Sequence, residues 1–399
     1  MNSTNLLKRR WFLIPLGIII YICLGTVYSW SVFRKPLENI LQISAFQSGL
    51  PYMLFLFFFA LFMALSGKYV SKYPRLIIFI GGLIVGLGWI LSGFFRDIKI
   101  IAITYGIIAG SGVGIVYGVP ITVISKWFPD KRGLAMGLVI SGFGLSPLIT
   151  APLARYLIEL YGPFETFKIL GLIFLILLSL LSLAFKLPPL DFSVGALKTT
   201  KRKILAELNT REMLKSSKFY GLWLCYTLGT LIGLMIIGIT SPVGEEIVGL
   251  DPKFTASLVS FFAIFNAVGR PLFGWITDRI FPRKASIVSY LLAMLASLLM
   301  ISTGGSNLGV YIISFSLFWL ILGSWLAIAP ASTIILFGER NYGQNYGIVF
   351  TAYGVGAILG GTISGILRDL LGSYFYVFYV IIGLSIVGIL ITLALLKEN

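Results

Sequence analysis

Asn266-Ala267-Val268-Gly269-Arg270-Pro271-Leu272-Phe273-Gly274-Trp275-Ile276-Thr277-Asp278-Arg279 closes a long apolar segment and carries, at Arg270, the only charge set well inside any such segment of the chain. A guanidinium in hydrocarbon costs at least ~2.5–3.5 kcal/mol on insertion scales, and it cannot escape by losing its proton. Such a group persists where it faces an internal cavity and meets an anion or a ring of dipoles. Arg270 therefore points to a pathway for something negatively charged. Arg270, Gly274 and Asp278 fall at i, i+4 and i+8, one helical face about 12 Å long, which sets Arg270 a turn or so inward of the middle of its helix.

The surrounding sequence fixes the class. Of 399 residues, 58% are hydrophobic and 12% charged, and the mean hydropathy is +0.96. Soluble domains carry roughly 25% charged residues, so the reading is an all-α polytopic membrane protein. Twelve transmembrane spans are expected: Trp11–Phe33, Gln47–Gly67, Leu76–Phe95, Ile98–Ile121, Gly133–Ile158, Phe167–Phe185, Phe219–Ser241, Ala256–Thr277, Ala285–Ser302, Leu308–Leu336, Tyr346–Leu367 and Tyr374–Leu395. Most approach the ~20 residues that cross a ~30 Å hydrocarbon slab.

The net charge of +16 suggests nucleic acid until its distribution is considered. With the N-terminus inside, inner segments hold 22 Lys/Arg and 7 Asp/Glu, outer segments 8 and 8, and Arg270 supplies the last charge. That is the positive-inside rule with both termini cytoplasmic and a plasma-membrane location. Nucleic acid is excluded as a partner; the lipid bilayer is one. Lys8, Arg9 and Arg10 precede the first span as in a signal peptide, but its length and lack of a small-residue cleavage site make it the first helix. Cys23 and Cys225 lie in apolar spans and give no disulfide framework.

The second half echoes the first. Leu24-Gly25-Thr26 matches Leu228-Gly229-Thr230; Gly67-x-x-x-Ser71-Lys72 matches Gly274-x-x-x-Asp278-Arg279; Pro74-Arg75 matches Pro282-Arg283; Phe128-Pro129-Asp130-Lys131 matches Phe337-Gly338-Glu339-Arg340; Tyr161-Gly162 matches Leu371-Gly372. Matches in order on corresponding loops indicate duplication. The expected organisation is a six-helix half over 1–187, a cytoplasmic basic linker over 188–218, and a second six-helix half over 219–399. Parallel halves place a site near the midplane between them, reached by rocking one half against the other. In the linker, Lys198, Lys201, Arg202 and Lys203 suit either a basic amphipathic helix on the inner leaflet or a solvated connection. Gly106, Gly110, Gly114 and Gly118 give span 4 a small face, as do Gly356 with Gly360 and Gly361 with Gly365 in span 11.

The paired loops, best preserved as Gly274-Trp275-Ile276-Thr277-Asp278-Arg279, resemble the inner-loop signature of the major facilitator superfamily. The first copy has Ser71 where that family has an acid. Three stretches resemble the oxalate/formate antiporters, relatives of the monocarboxylate transporters: Gly25-Thr26-Val27-Tyr28-Ser29-Trp30-Ser31-Val32-Phe33; Lys126-Trp127-Phe128-Pro129-Asp130-Lys131-Arg132-Gly133-Leu134-Ala135 continuing to Ser141-Gly142-Phe143-Gly144; and Arg211-Glu212-Met213-Leu214-Lys215-Ser216-Ser217-Lys218-Phe219-Tyr220. The resemblance implies transport of small organic acids, with Arg270 holding substrate. It implies gating roles for Gly274, Asp278, Arg279, Asp130 and Arg132. Oxalate-specific members are expected to carry a Lys in mid-span 11, where this chain has Tyr353. Proton-coupled monocarboxylate symporters have an Asp one turn before the Arg, where this chain has Asn266.

The residues themselves agree with that direction. A planar fork suits bidentate capture of a carboxylate. One cation balances a monoanion and leaves a dianion such as oxalate uncompensated. The chain has no His, and no acid lies mid-span, so no side chain is placed to cycle a proton near neutral pH. Candidate cavity residues beside Arg270 and Asn266 are Tyr28, Trp30, Tyr117, Phe143, Trp325 and Tyr353, with Gln47 and Thr351 as weaker polar additions; lipid or helix packing is the competing reading for each ring. The Gly/Pro run from Gly137 through Pro147 to Pro152 resembles a motif of antiporters, with Ser146 in place of the usual Gly. No metal or cofactor is expected, and neither His relays nor mid-span carboxylate pairs exist for enzyme chemistry. The expected function is secondary transport of a small organic anion by a monomer, with monocarboxylate exchange ahead of proton symport or oxalate/formate exchange. A flux-free anion sensor on the same fold is the alternative from another class.

Overall fold

The computed structural model describes residues 10–67, 70, 72–189 and 206–396. The basic cluster at Lys198, Lys201, Arg202 and Lys203, the Ser71 position and the side chain of Arg132 lie outside what is described. Among the described residues the secondary structure is helical throughout. In a solvent without water every backbone polar group must be satisfied inside its own segment, which leaves helices as the open architecture here. The helices are α1 Leu13–Gly25, α2 Trp30–Leu41, α3 Ala45–Ser66, α4 Pro74–Ser92, α5 Gly110–Trp127, α6 Arg132–Ser182, α7 Thr210–Lys215, α8 Ser217–Glu246, α9 Pro252–Ser302, α10 Leu308–Phe337, α11 Tyr342–Leu371 and α12 Val377–Leu395. A helical turn over Ile98–Ile101 and a π-helical stretch over Ala102–Ala109 lead into α5. Ten helices are long and apolar enough to cross a membrane among the described residues.

Two of these, α6 and α9, run 51 residues each, and both double back. Non-helical backbone at Gly162 divides α6, and a side chain added at Gly17 would meet both Val139 and Phe185. In a straight helix those two residues stand roughly 70 Å apart. Phe281, at φ 67°, divides α9. Gly269 packs on the Ser324 backbone while Tyr290 packs on the neighbouring Trp325 ring, so residues 21 positions apart meet one spot on α10.

Helix starts carry the side chains that free N–H groups need. Ser44 and Gln47 form a capping box at α3, Asp251 caps α9 ahead of Pro252, and Asn307 caps α10. The first expected span, read as continuous over Trp11–Phe33, is broken in its second half. A 3₁₀ stretch over Thr26–Ser29 separates α1 from α2, beside the point where Gly25 lies against the Phe143 carbonyl. Residues 206–218 are tied to the C-terminal half: Leu208 N donates to Phe337 O at 2.9 Å, and the Glu207 carboxylate accepts from Glu339 N and Arg340 N at 3.2 Å each.

The glycine stripes bring backbones together. Side chains added at Gly106, Gly110 and Gly114 would stand 3.0, 2.5 and 2.5 Å from the carbonyls of Pro51, Phe55 and Phe59 in α3, whereas Gly118 meets only Val70 at 3.5 Å. The two stripes of α11 face opposite ways. Gly356 and Gly360 press on α8 of their own half, at Thr227 O and Leu231 O. Gly361 and Gly365 press on Met53 and Phe46 of α3. The opposite seam joins the first arm of α6 to the first arm of α9, where Gly144 accommodates Asn266 and the Ser260 hydroxyl donates to Pro147 O at 3.0 Å.

These approaches define a stability test. A methyl at Gly356 would stand 2.8 Å from Thr227 O and 2.9 Å from Leu231 N, while one at Gly383 meets nothing within 4 Å. Gly356→Ala is expected to destabilise the detergent-solubilised protein by ~1–3 kcal/mol, the usual cost of overpacking. Gly383→Ala should leave the melting temperature unchanged, and equal melting curves for the two variants would contradict this packing.

Candidate functional site

Arg270 lies in the first arm of α9 with two special neighbours. Pro271 removes the N–H that would bond the Ala267 carbonyl, and Gly269 lets α10 approach to backbone contact. Arg270 is 9% exposed. Its Nη1 donates to Ile140 O at 2.9 Å, across the seam in α6. Its Nη2 donates at 3.4 Å to Asn266 Oδ1, and Phe143 lies beneath it with the ring centroid 6.0 Å from Cζ. The Nε is buried without a hydrogen-bond partner. Among the described residues no carboxylate pairs with Arg270 in the ion pairs formed.

Arg34 is the informative contrast. At 3% exposure it is at least as buried, yet each of its three nitrogens has a partner: Nε donates to Ser48 Oγ at 3.0 Å, Nη1 to Gly238 O at 3.1 Å and Nη2 to Ala45 O at 2.5 Å. Glu38 Oε1 stands 3.8 Å from its Nε. Arg34 is a structural cation. Arg270 keeps its charge uncompensated, because the acceptors it has are neutral.

Asn266 sets that balance. Its Nδ2 donates to Trp319 O at 3.2 Å, and it is confined by Gly144 on one side and Gly323 on the other. Its oxygen is thus turned to Arg270 as a neutral acceptor.

Rings from both halves close around this point. Tyr28 and Tyr353 share a hydrogen bond between hydroxyls at 2.9 Å. Phe143 meets Tyr28 at 5.2 Å and Tyr117 at 5.4 Å between centroids. Phe59 touches Tyr117, Phe143, Phe350 and Tyr353. Phe350 touches Tyr117, Tyr226, Tyr346 and Tyr353. Tyr28, Tyr117, Phe143, Asn266 and Tyr353 are therefore brought together with Arg270. Trp30 is not: it nests among Phe33, Tyr105 and Phe167 and donates to Ser48 O at 3.0 Å. Two positions from Tyr28 on a helical stretch, it faces the other way. Trp325 stands behind the cluster, between Tyr226 and Tyr290, with its indole N–H turned onto Gly229. Gln47 serves the α3 cap, and Thr351 accepts from Trp223 Nε1 at 3.0 Å. The sequence reading did not single out Phe59, Phe350 or Tyr226.

Polar ties between the halves gather on one face. Glu246 binds both Lys35 and Arg368, the latter at 2.7 Å. Asp369 accepts from Ala45 N and Phe46 N at 2.9 and 3.0 Å, at the N-terminus of α3. Lys253 reaches Glu159 at 3.1 Å. On this side of Arg270, Tyr28 and Tyr353 are fully buried; on the other, Tyr117 is 7% exposed and Tyr346 is half-buried.

The loop-motif residues sit at the opposite end. Arg279 stacks over the exposed Trp275 ring at 4.2 Å, Asp278 is engaged, and Gly274 meets Ala327 at 3.9 Å. Asp130 accepts from Arg10 Nη1 at 2.5 Å and Nη2 at 2.7 Å, and Arg10 also donates to Trp127 O at 3.2 Å.

The family described as Major Facilitator Superfamily matches residues 11–337. The oxalate:formate antiporter of Oxalobacter formigenes is 28% identical over 365 residues, 91% of this chain and 86% of its own. Monocarboxylate transporter 12 of Xenopus laevis is 29% identical over 360 residues, 83% and 76% of the two chains. Among solved structures, a bacterial homolog of the human lysosomal transporter Spinster aligns with a TM-score of 0.71 at 17% identity, over 96% of this chain and 93% of its own. Nucleoside transporter NupG aligns at 0.73 and 14%, over 98% and 100%. At such identities the two structures speak for the fold alone.

The Asp130 pair yields a pH prediction. The hydrogen bond from Arg10 holds the Asp130 carboxyl below its ordinary value of 3.8. A carboxyl whose folded-state value is depressed contributes stability above its unfolded value and loses it as the pH falls through the folded one. Arg10→Gln should thus lower stability at pH 7 by about 1.5–3 kcal/mol, the range for hydrogen bonds to charged groups. Melting curves taken from pH 7 downward through pH 3 should narrow the gap between variant and wild type, leaving the part owed to the Trp127 carbonyl; a gap independent of pH would contradict the pairing.

Proposed function

We propose, for a chain that belongs to the major facilitator superfamily, that it exchanges small organic monoanions across the plasma membrane by alternating access. In this reading α6 and α9 each cross twice, which turns ten long helices into twelve spans, with both termini cytoplasmic by the charge bias of the loops. Residues 1–187 and 219–399 act as the two halves, joined by the linker over 188–218, in a monomer.

One observation carries the proposal. Arg270 is a buried guanidinium at the seam between halves, hydrogen-bonded only to neutral acceptors, with Nε left over. A monocarboxylate neutralises it. A dianion leaves one charge uncompensated among Phe59, Phe143 and Phe350, at a cost of several kcal/mol. The Lys that oxalate-specific relatives are expected to carry is Tyr353 here, and that side chain is occupied by Tyr28. Asn266 in place of an acid supports exchange over proton symport, since it has no proton to cycle. The ties through Glu246, Asp369 and Lys253 belong to the outer face, so the described state is closed outward. Asp278, Arg279, Asp130, Arg132 and Gly274 act at the inner loops during the return. The similarity to the oxalate:formate antiporter and to monocarboxylate transporters supports the organic-acid class.

The test is counterflow in proteoliposomes with labelled formate, lactate and oxalate, with and without internal acid and a pH gradient. Uptake of a monoanion should need internal anion and ignore the gradient. Arg270→Ala should reduce it by at least ~30-fold, the low end of the loss for a buried charge partner. Oxalate as the best substrate would overturn the single-cation argument; gradient-driven uptake would mean symport; binding without flux would mean a sensor.

A further inference from the structure

We propose that the Tyr226 hydroxyl is a second donor to the substrate carboxylate, beside Arg270. The proposal rests on the anion-transport reading and adds to it a residue on α8.

Buried phenols here are mostly partnered. Tyr21, Tyr52, Tyr290 and Tyr311 donate to the carbonyls of Tyr117, Leu234, Cys225 and Thr240, and Tyr28 bonds Tyr353. Among the described residues three buried phenol hydroxyls are left without a hydrogen-bond partner, those of Tyr105, Tyr226 and Tyr374. Leaving a buried donor unpaired is unfavourable, so each calls for an explanation. Tyr105 lies in the nest of Trp30, Phe55, Trp89 and Phe167. Tyr374 lies under Arg34 and Arg368 at the tied face. Tyr226 alone of the three reaches the ring cluster at Arg270, with its centroid 6.3 Å from that of Phe350.

Its depth matches that of Arg270. Gly269 brings α9 onto the backbone at Ser324, 3.1 Å from where its Cβ would stand. The next residue of α10, Trp325, stacks on the Tyr226 ring at 6.2 Å and 23°. Arg270 and Tyr226 thus flank one level of α10. Trp325 and the bare Gly229 beneath it hold the Tyr226 ring in place from behind. Tyr346 is a polar neighbour of the hydroxyl without completing a hydrogen bond.

The chemistry fits a carboxylate. Arg270 Nη1 is committed to Ile140 O, which leaves the Nε edge of the guanidinium to meet an anion. A carboxylate has about four lone-pair positions, more than that edge can fill. A phenol at the same depth supplies the next donor without adding charge. Both donors belong to the C-terminal half. From the other half Phe143 and Phe59 present ring faces, and Tyr117 sets its hydroxyl beside Arg270, closing the site from across the seam.

The experiment compares Tyr226→Phe with Tyr105→Phe in the proteoliposome assay, using labelled formate and lactate. Both variants remove one buried, unpartnered hydroxyl and keep the ring. Tyr226→Phe is expected to raise KM for both acids about 10- to 100-fold, the loss of one hydrogen bond to a charged group, with an unchanged melting temperature. Tyr105→Phe should leave KM at the wild-type value. A wild-type KM in Tyr226→Phe, or an equal rise in both variants, overturns this inference alone. Wild-type protein that moves neither acid overturns it together with the anion-exchange reading.

Discussion

A guanidinium in the middle of an apolar helix bundle has to be solvated by the protein itself, and much of the architecture follows from how incompletely this is done for Arg270. The Ile140 carbonyl comes from the opposite half. It reaches Arg270 only because α6 and α9 approach at Gly144, and α9 meets α10 at Gly269 and Gly323. A side chain at any of these positions would push apart the backbones that supply or position the acceptors. The site is thus a consequence of close helix packing, and small residues serve it as much as polar ones do.

The asymmetry of the ties has a physical sense. One face is fastened by Glu246 with Lys35 and Arg368, by Asp369 on a helix N-terminus, and by Lys253 with Glu159. These groups are partly exposed, so separating them returns each to water at small net cost. Deeper in, the halves meet through rings: Phe59 against Phe350, Tyr28 against Tyr353. Ring faces tolerate sliding better than buried ion pairs, whose rupture strands a charge. Arg34, fully bonded among backbone carbonyls and Ser48, is the fixed point on that face.

Much of the fold was legible because its cause is compositional: apolar runs long enough for a bilayer declare themselves. The break at Gly162 falls on the Tyr161-Gly162 pair that the repeat marked, and its positive φ suits glycine. The break at Phe281 falls between the expected spans ending at Thr277 and starting at Ala285, beside the Pro282-Arg283 pair that answers Pro74-Arg75; its positive φ at a bulky residue was not legible, because it is imposed by the packing around it. Arg270 was legible as a lone charge, and Asn266 by its spacing from it. Tyr28 and Trp30 looked alike in sequence, but two positions apart on a helical stretch they face away from each other, Tyr28 toward Tyr353 and Trp30 toward Tyr105 and Phe167. Phe59, Phe350 and Tyr226 could not be told from other rings in a chain that is 15% aromatic. The charges of these ties were visible singly; their pairing depends on which spans become neighbours, which no local pattern records.

Asn266 draws these points together. A carboxylate at this position, one turn from Arg270, would neutralise the guanidinium within its own helix and leave a site already balanced. The amide supplies the same hydrogen-bond acceptor without the charge, and its other end is anchored at Trp319 O, so the geometry is kept while the positive charge is left uncancelled. Neutralisation then falls to whatever binds. In a setting bounded by Phe59, Phe143 and Phe350, the gain from bringing one negative charge to Arg270 is large, because the guanidinium is already desolvated. A second negative charge meets no such partner and brings only its own loss of hydration. On the anion-exchange reading, selectivity for charge number is therefore built from an absence of acids and of further cations, with neutral donors such as the Tyr226 phenol free to refine the fit.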